Sequence, residues 1–119
     1  SVFTDAAIQK KYDLEFLDKT GLTIVKRNPE TGVVEKQFDR FKGRVIFPIQ
    51  SMSGRILGFG GRTLLTDKKV AKYVNSPESI IYHKSKVLYG IFQAKQSIAK
   101  ENNCYLVEGY TDVISMVQS

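Results

Sequence analysis

A chain of 119 residues holds one small domain, or one domain and a piece of another, and its apolar fraction of 42% and charged fraction of 25% are ordinary for a globular protein. A single cysteine, Cys104, excludes an internal disulfide and any cysteine-based zinc site. No apolar run is long enough for a membrane-spanning helix, and the first residues lack the pattern of a secretory signal.

The net charge of +6 belongs to one region. From Lys36 to Lys86 eleven bases meet three acids, a net +8, while the remainder carries −2. Such a stretch suits a polyanion, because each neutralised phosphate releases condensed counterions. The competing reading is a solvated basic face with no partner.

In chain order, Phe3–Tyr12 is predicted to be a helix capped by Thr4 or Asp5, and Asp13–Lys19 a second one, capped by Asp13 and stopped by Gly21. Both are expected only to pack. Leu22–Lys26 reads as a strand, Asn28–Gly32 as a turn, and Val33–Phe38 as the returning strand of a hairpin. Arg44–Ile49 is apolar on both faces, as in a central strand, although Pro48 points to an edge or a strand end. Ser51–Gly54 is a turn and Arg55–Gly60 the next strand.

Gly58, Gly60 and Gly61 are too many for a plain strand. They imply a bulge, or a place where another backbone or a ligand comes close. The run GFGGR lacks the Lys-Ser/Thr of a phosphate-binding P-loop and opens no helix. Thr66–Val70 reads as a polar loop, and Lys72–Glu78 as irregular, with a turn at Asn75–Pro77. His83 is the only histidine and is expected to be structural or at the surface. Val87–Phe92 is apolar, and Gln93–Glu101 completes an amphipathic helix that Asn102 and Asn103 end.

The stretch Cys104–Asp112, CYLVEGYTD, reads as strand, tight turn and helix start. Cys104–Val107 is expected to be a buried, parallel strand with a reduced, buried thiol, as suits a cytosolic protein. Helix followed by strand would then follow the βαβ order. Glu108 falls at the strand's C-terminal end, where open α/β sheets place ligands and catalytic groups. Its carboxylate is either a metal ligand or acid/base, or an acceptor for turn amides. Thr111 or Asp112 is expected to cap the helix Thr111–Ser119. With no stop signal after that helix and no parallel partner for the strand, the sequence reads as incomplete.

Five segments in this order, FKGRVIFPI, GRILGFGGR, KYVNSPES, HKSKVLYG and LVEGYTD, with EFLDKTGLTI ahead of them, resemble the catalytic core of bacterial DNA primases of the DnaG type. The resemblance covers nearly the whole chain. It implies a mixed α/β (α+β) fold: residues 1–100 a basic N-terminal subdomain with an antiparallel or mixed sheet plus helices, and residues 101–119 the first strand and helix of a TOPRIM fold. The implied function is part of a DNA-directed RNA polymerase that makes short RNA primers on single-stranded DNA in bacterial cytoplasm.

The resemblance also implies roles. Glu108 would be the TOPRIM glutamate, catalytic and metal-binding, with Asp112 shaping the same acidic site. Arg40, Lys42, Arg44, Arg62, Lys72, Tyr73, Asn75 and Lys84 would hold template and nucleoside triphosphate. Arginine offers a fork to phosphate, lysine a mobile point charge, and Tyr73 a stacking surface for a base. Lys42 stands where the family often has arginine, and Ala71 where it often has proline, so Lys68 and Lys69 receive no role. Mg2+ or Mn2+ would be the cofactor, with zinc confined to a separate domain. The partners would be single-stranded DNA, nucleoside triphosphates, the RNA product and, through another domain, the replicative helicase.

The later Asp-x-Asp pair of TOPRIM folds occurs nowhere in these residues. A chain of this extent is therefore expected not to synthesise primers alone. Two alternatives stand beside this reading: a non-catalytic module for single-stranded nucleic acid, and another TOPRIM enzyme such as a topoisomerase or nuclease.

Overall fold

A computed structural model describes residues 2–119. The chain runs α1 (Val2–Gln9), α2 (Leu14–Lys19), β1 (Thr23–Arg27), β2 (Val34–Asp39), β3 (Arg44–Gln50), β4 (Ile56–Thr63), β5 (Tyr73–Asn75), a 3-10 turn (Lys84–Lys86), α3 (Ile91–Glu101) and α4 (Tyr110–Gln118). The strands form two antiparallel sheets, β1-β2 and β3-β4-β5. The mixed α+β architecture is the expected one. The molecule is elongated, 56 × 33 × 27 Å, with a Cα radius of gyration of 16.9 Å. A compact domain of this length would have about 13.5 Å.

The hairpin β1-β2 forms where expected. Its turn is held by Asn28, whose Oδ1 accepts the amides of Glu30 and Thr31. Both N-terminal helices pack on this hairpin. The predicted start of α1 is corrected: the helix runs from Val2, so Thr4 and Asp5 lie inside it rather than ahead of it. Asp39, at the end of β2, accepts the Phe3 amide at 3.0 Å, the Thr4 amide at 2.8 Å and the Thr4 hydroxyl at 2.6 Å. A helix start has unsatisfied amides, and here a carboxylate 35 positions downstream in the chain satisfies two of them. The Thr4 hydroxyl also shares a hydrogen bond with Thr23, and both threonines are fully buried. Burial pushes the Asp39 carboxyl up, but the donors from Thr4 and Phe3 outweigh it and hold the group below the usual carboxylate range. Asp13 stands at the start of α2 without a side-chain cap bond.

In the second sheet β4 is central and β3 an edge strand, so Pro48 is tolerated where the ladder needs no further donor. The segment read as irregular contains a strand: β5 pairs Tyr73 with Arg62, Val74 with Gly61 and Asn75 with Gly60. Only three residues long, it carries too short an alternation to be legible in the sequence. The core is small. Phe47, Ile49, Phe41 and Tyr82 are its large buried side chains on this sheet, and Leu17 and Ala7 lie under the helices.

The expected buried strand at Cys104–Val107 is corrected. These residues join no ladder; Tyr105 and Leu106 are 80% and 83% exposed, and Cys104 is exposed. Among the described residues no strand lies alongside to take their backbone hydrogen bonds, and no parallel pair exists. α3 is fastened to the β3-β4 turn by Gln93 donating to Gln50 at 2.6 Å and Lys95 donating to the Met52 carbonyl at 2.7 Å. Asn102 ends it, as expected, and does so in the left-handed conformation. α4 begins one residue earlier than predicted. Asp112 turns back to accept the Gly109 amide at 3.1 Å, so Asp112, not Thr111, does the capping.

Candidate nucleic-acid interface

Residues opposite one another in a ladder share a face of the sheet. Val45, Arg62 and Tyr73 therefore line one face of β3-β4-β5 together with Phe47, Gly60 and Asn75. Arg44, paired with Thr63, turns to the other face. The sheet thus divides two arginines that the sequence reading had grouped.

On the first face the Arg62 guanidinium lies 5.4 Å from the centre of the Tyr73 ring and donates to the Thr63 carbonyl at 2.6 Å. One side of Tyr73 is therefore already partnered by a cation, and stacking on a base would use what is left of the ring. Tyr110, a residue the sequence reading gave no role, completes the group. Its ring is stacked on Phe47 at 5.0 Å, meets Tyr89 edge-on at 4.8 Å and sits 6.1 Å from Tyr73. Its hydroxyl donates to Asn75 Oδ1 at 2.7 Å. This leaves the Asn75 amide nitrogen as the donor for anything that binds there. Burial pushes the Tyr110 phenol up to about 12, with the neighbouring tyrosines adding to it, so it stays a neutral donor.

The reason for the glycines of β4 is now visible. A Cβ on Gly60 would come within 2.5 Å of the Tyr110 hydroxyl oxygen, and one on Gly61 within 2.6 Å of the Phe41 ring. They admit side chains rather than a second backbone. A register shift does occur, between Ile49 and Gln50 of the facing strand. An aromatic directly after the EG of the turn, facing a paired glycine in a strand, was the available sequence signal for Tyr110.

The remaining basic residues fall into two groups. The arginines are held by backbone carbonyls: Arg40 donates to Gly21 at 2.6 Å, and Arg44 to Lys72 at 3.1 Å and to Gly61 at 3.4 Å. Gly21 has φ +75° and the ring of Pro77 lies over its Cα, so no side chain fits where Arg40 docks. Lys42, Lys72 and Lys84 are exposed, and their ammonium groups have no partner among the described residues. The Lys84 amide is held at 2.9 Å by Glu78, which also lies 3.6 Å from exposed His83. His83 is thus at the surface, as expected.

Glu108 and Asp112 line one open depression of about 620 Å³ with Val107, Ser115 and Met116. Arg62 and Thr111 line another, of about 390 Å³, with Val45, Phe47 and Leu64. The first turn of α4 borders both. Among the described residues no three metal-ligating side chains converge. The Glu108 carboxylate has no partner among them, whereas Asp112 spends one oxygen on Gly109. Mg2+ uses one or two carboxylates and takes waters and substrate phosphates for the rest. Glu108 fits as one such ligand, and these residues alone make no closed metal site.

These features define a basic α+β domain in which one arginine, Arg62, and a group of aromatic rings share a face of an antiparallel sheet. The family model for the DNA primase catalytic core, N-terminal domain, matches residues 1–95, and the chain belongs to that family. It is 47% identical over 112 residues to a DNA primase of Halalkalibacterium halodurans, covering 94% of this chain and 18% of that protein. The RNA polymerase domain of the Mycobacterium tuberculosis primase DnaG superposes with a TM-score of 0.82 at 38% identity, over 99% of this chain and 36% of that one. A DnaG primase catalytic domain bound to single-stranded DNA superposes with a TM-score of 0.75 at 38% identity, over 96% of this chain and 36% of that one. The chain spans less than a fifth of the length of three curated relatives that it matches.

Proposed function

We propose that this chain holds single-stranded DNA and nucleoside triphosphate for a DNA primase, the polymerase that lays RNA primers for bacterial replication. The observation that carries the reading is the likeness, over 96% of the chain, to a primase catalytic domain solved with single-stranded DNA on it. The site chemistry agrees. Lys42, Lys72 and Lys84 keep free ammonium groups for phosphates, Arg62 and Tyr73 present a cation beside a ring, and Asn75 keeps an amide donor. Arg40 and Arg44 contribute charge from positions set by backbone carbonyls.

In this reading residues 1–100 are the basic subdomain and residues 101–119 open a TOPRIM fold. Glu108 is the TOPRIM glutamate and would hold one divalent cation, Mg2+ or Mn2+, with Asp112 keeping the turn in shape. The ion, when bound, supplies charge stabilisation to phosphoryl transfer. The RNA product, the helicase partner, a separate zinc domain and a cytoplasmic location at the replication fork belong to the same proposal. No helix among the described residues is long and apolar enough to cross a membrane.

The test is fluorescence anisotropy with a labelled single-stranded oligonucleotide at two salt concentrations. Three neutralised phosphates on a single strand predict a roughly 20-fold loss of affinity between 50 and 200 mM salt. Binding that ignores salt, or no binding at 50 mM, overturns the reading.

A further inference from the structure

The Glu108 carboxylate stands at the foot of α4, an element with no buried residue of its own. What sets its place is therefore a question of how the first turn of α4 is anchored. Tyr110 follows Glu108 by two residues, so the two Cα atoms are at most about 7 Å apart. The ring is fixed from three sides by Phe47, Tyr89 and Tyr73, and the hydroxyl by Asn75 on β5. The floor of the slot is Gly60 on β4, where a methyl group would overlap the hydroxyl. β3 and β4 contribute one residue each to this slot, Phe47 and Gly60, and β5 contributes Tyr73 and Asn75; Phe47, Gly60 and Asn75 lie opposite one another across the ladder. The same face carries Arg62 and Tyr73. The slot thus ties the turn that bears Glu108 to the sheet face that bears Arg62 and Tyr73.

We infer that Tyr110 is a positioning residue, whose hydroxyl, seated over Gly60 and held by Asn75, keeps the Glu108 turn in register with the Arg62–Tyr73 face. The inference rests on the primase reading and deepens it. A merely space-filling tyrosine would need only its ring, whereas positioning needs the hydroxyl as well, because the stacked ring alone leaves rotation in its own plane open.

The experiment uses the full-length primase in which the proposed function places this chain, since these 119 residues are expected not to polymerise alone, with Tyr110→Phe, Gly60→Ala, Tyr110→Ala and the Gly60→Ala/Tyr110→Ala pair. Hydrogen exchange is followed at the amides of residues 106–112. Template-directed dinucleotide formation with Mg2+ and binding of a labelled single-stranded oligonucleotide are measured alongside. Tyr110→Phe is expected to speed exchange about fivefold, as loss of one hydrogen bond would, and to lower kcat by a similar factor. The KM for nucleotide and the Kd for DNA should stay within twofold. Gly60→Ala alone should do the same by expelling the hydroxyl, and should add nothing once Tyr110→Ala has emptied the slot.

Unchanged exchange and kcat in Tyr110→Phe overturns the inference. So does a loss confined to KM or Kd, or a Gly60→Ala effect that persists in full beside Tyr110→Ala. Failure of the unaltered protein to bind the oligonucleotide overturns the primase reading instead, and the exchange measurement still decides the role of Tyr110.

Discussion

The Arg44 guanidinium reaches over β4 and donates to the main-chain carbonyl of Lys72 at 3.1 Å. A residue grouped with the phosphate binders is thus also a strap across the sheet, joining β3 to the approach of β5. Replacing it with methionine removes two bonds to carbonyls while keeping most of the packing of its stem. The expected cost is about 1 kcal/mol of stability, read as a lower denaturation midpoint with an unchanged slope. Lys42→Met, at an exposed residue of the preceding turn, should leave the midpoint within experimental error.

Asp39 predicts a pH dependence whose sign follows from its depressed pKa. The folded carboxyl stays ionised at a pH where the unfolded one is already protonated. Its contribution is complete above the unfolded value, about 3.9, and is lost as pH falls from there through the lower folded value. Asp39→Asn should cost about 1 kcal/mol at pH 7, the usual size of a lost helix cap. Urea unfolding at pH 7 and pH 3 checks this: the difference between wild type and Asp39→Asn should shrink at the lower pH.

Lys84 separates held charge from free charge. Its amide is fixed by Glu78 and its ammonium is unpaired among the described residues. Lys84→Gln should leave thermal stability unchanged and weaken oligonucleotide binding. The slope of log affinity against log salt should become shallower by about 0.7, one phosphate's share on a single strand. An unchanged slope would remove Lys84 from the interface.

Cys104 tests the extended segment before Glu108. Its thiol is exposed and the segment joins no sheet. Ellman's reagent should therefore titrate one thiol in the native 119-residue chain at the rate of a free cysteine, with no acceleration in denaturant. Protection that disappears only on unfolding would mean that Cys104–Val107 is covered in solution.

Local signals were enough for much of this protein. Asn28 and Gly32 define the first hairpin, Pro48 marks an edge strand, Asn102 ends a helix, and the segregated bases mark the charged region, because turns, caps and charge depend on a few neighbouring residues. The family was legible for a related reason: five ordered segments over the chain leave few other assignments. The site residues were legible as types and not as an arrangement.

What only the tertiary structure decided is which of these residues meet. Arg44 and Arg62 look alike in the sequence and lie on opposite faces, since one residue of register separates the two sides of a sheet. Asp39 reads as the end of a strand and serves as the cap of a helix near the start of the chain. Gly60 reads as a flaw in β4 and is the space into which the Tyr110 hydroxyl fits. Each of these depends on a partner distant in the chain, and such a contact is set by how the elements pack, not by the residues beside it.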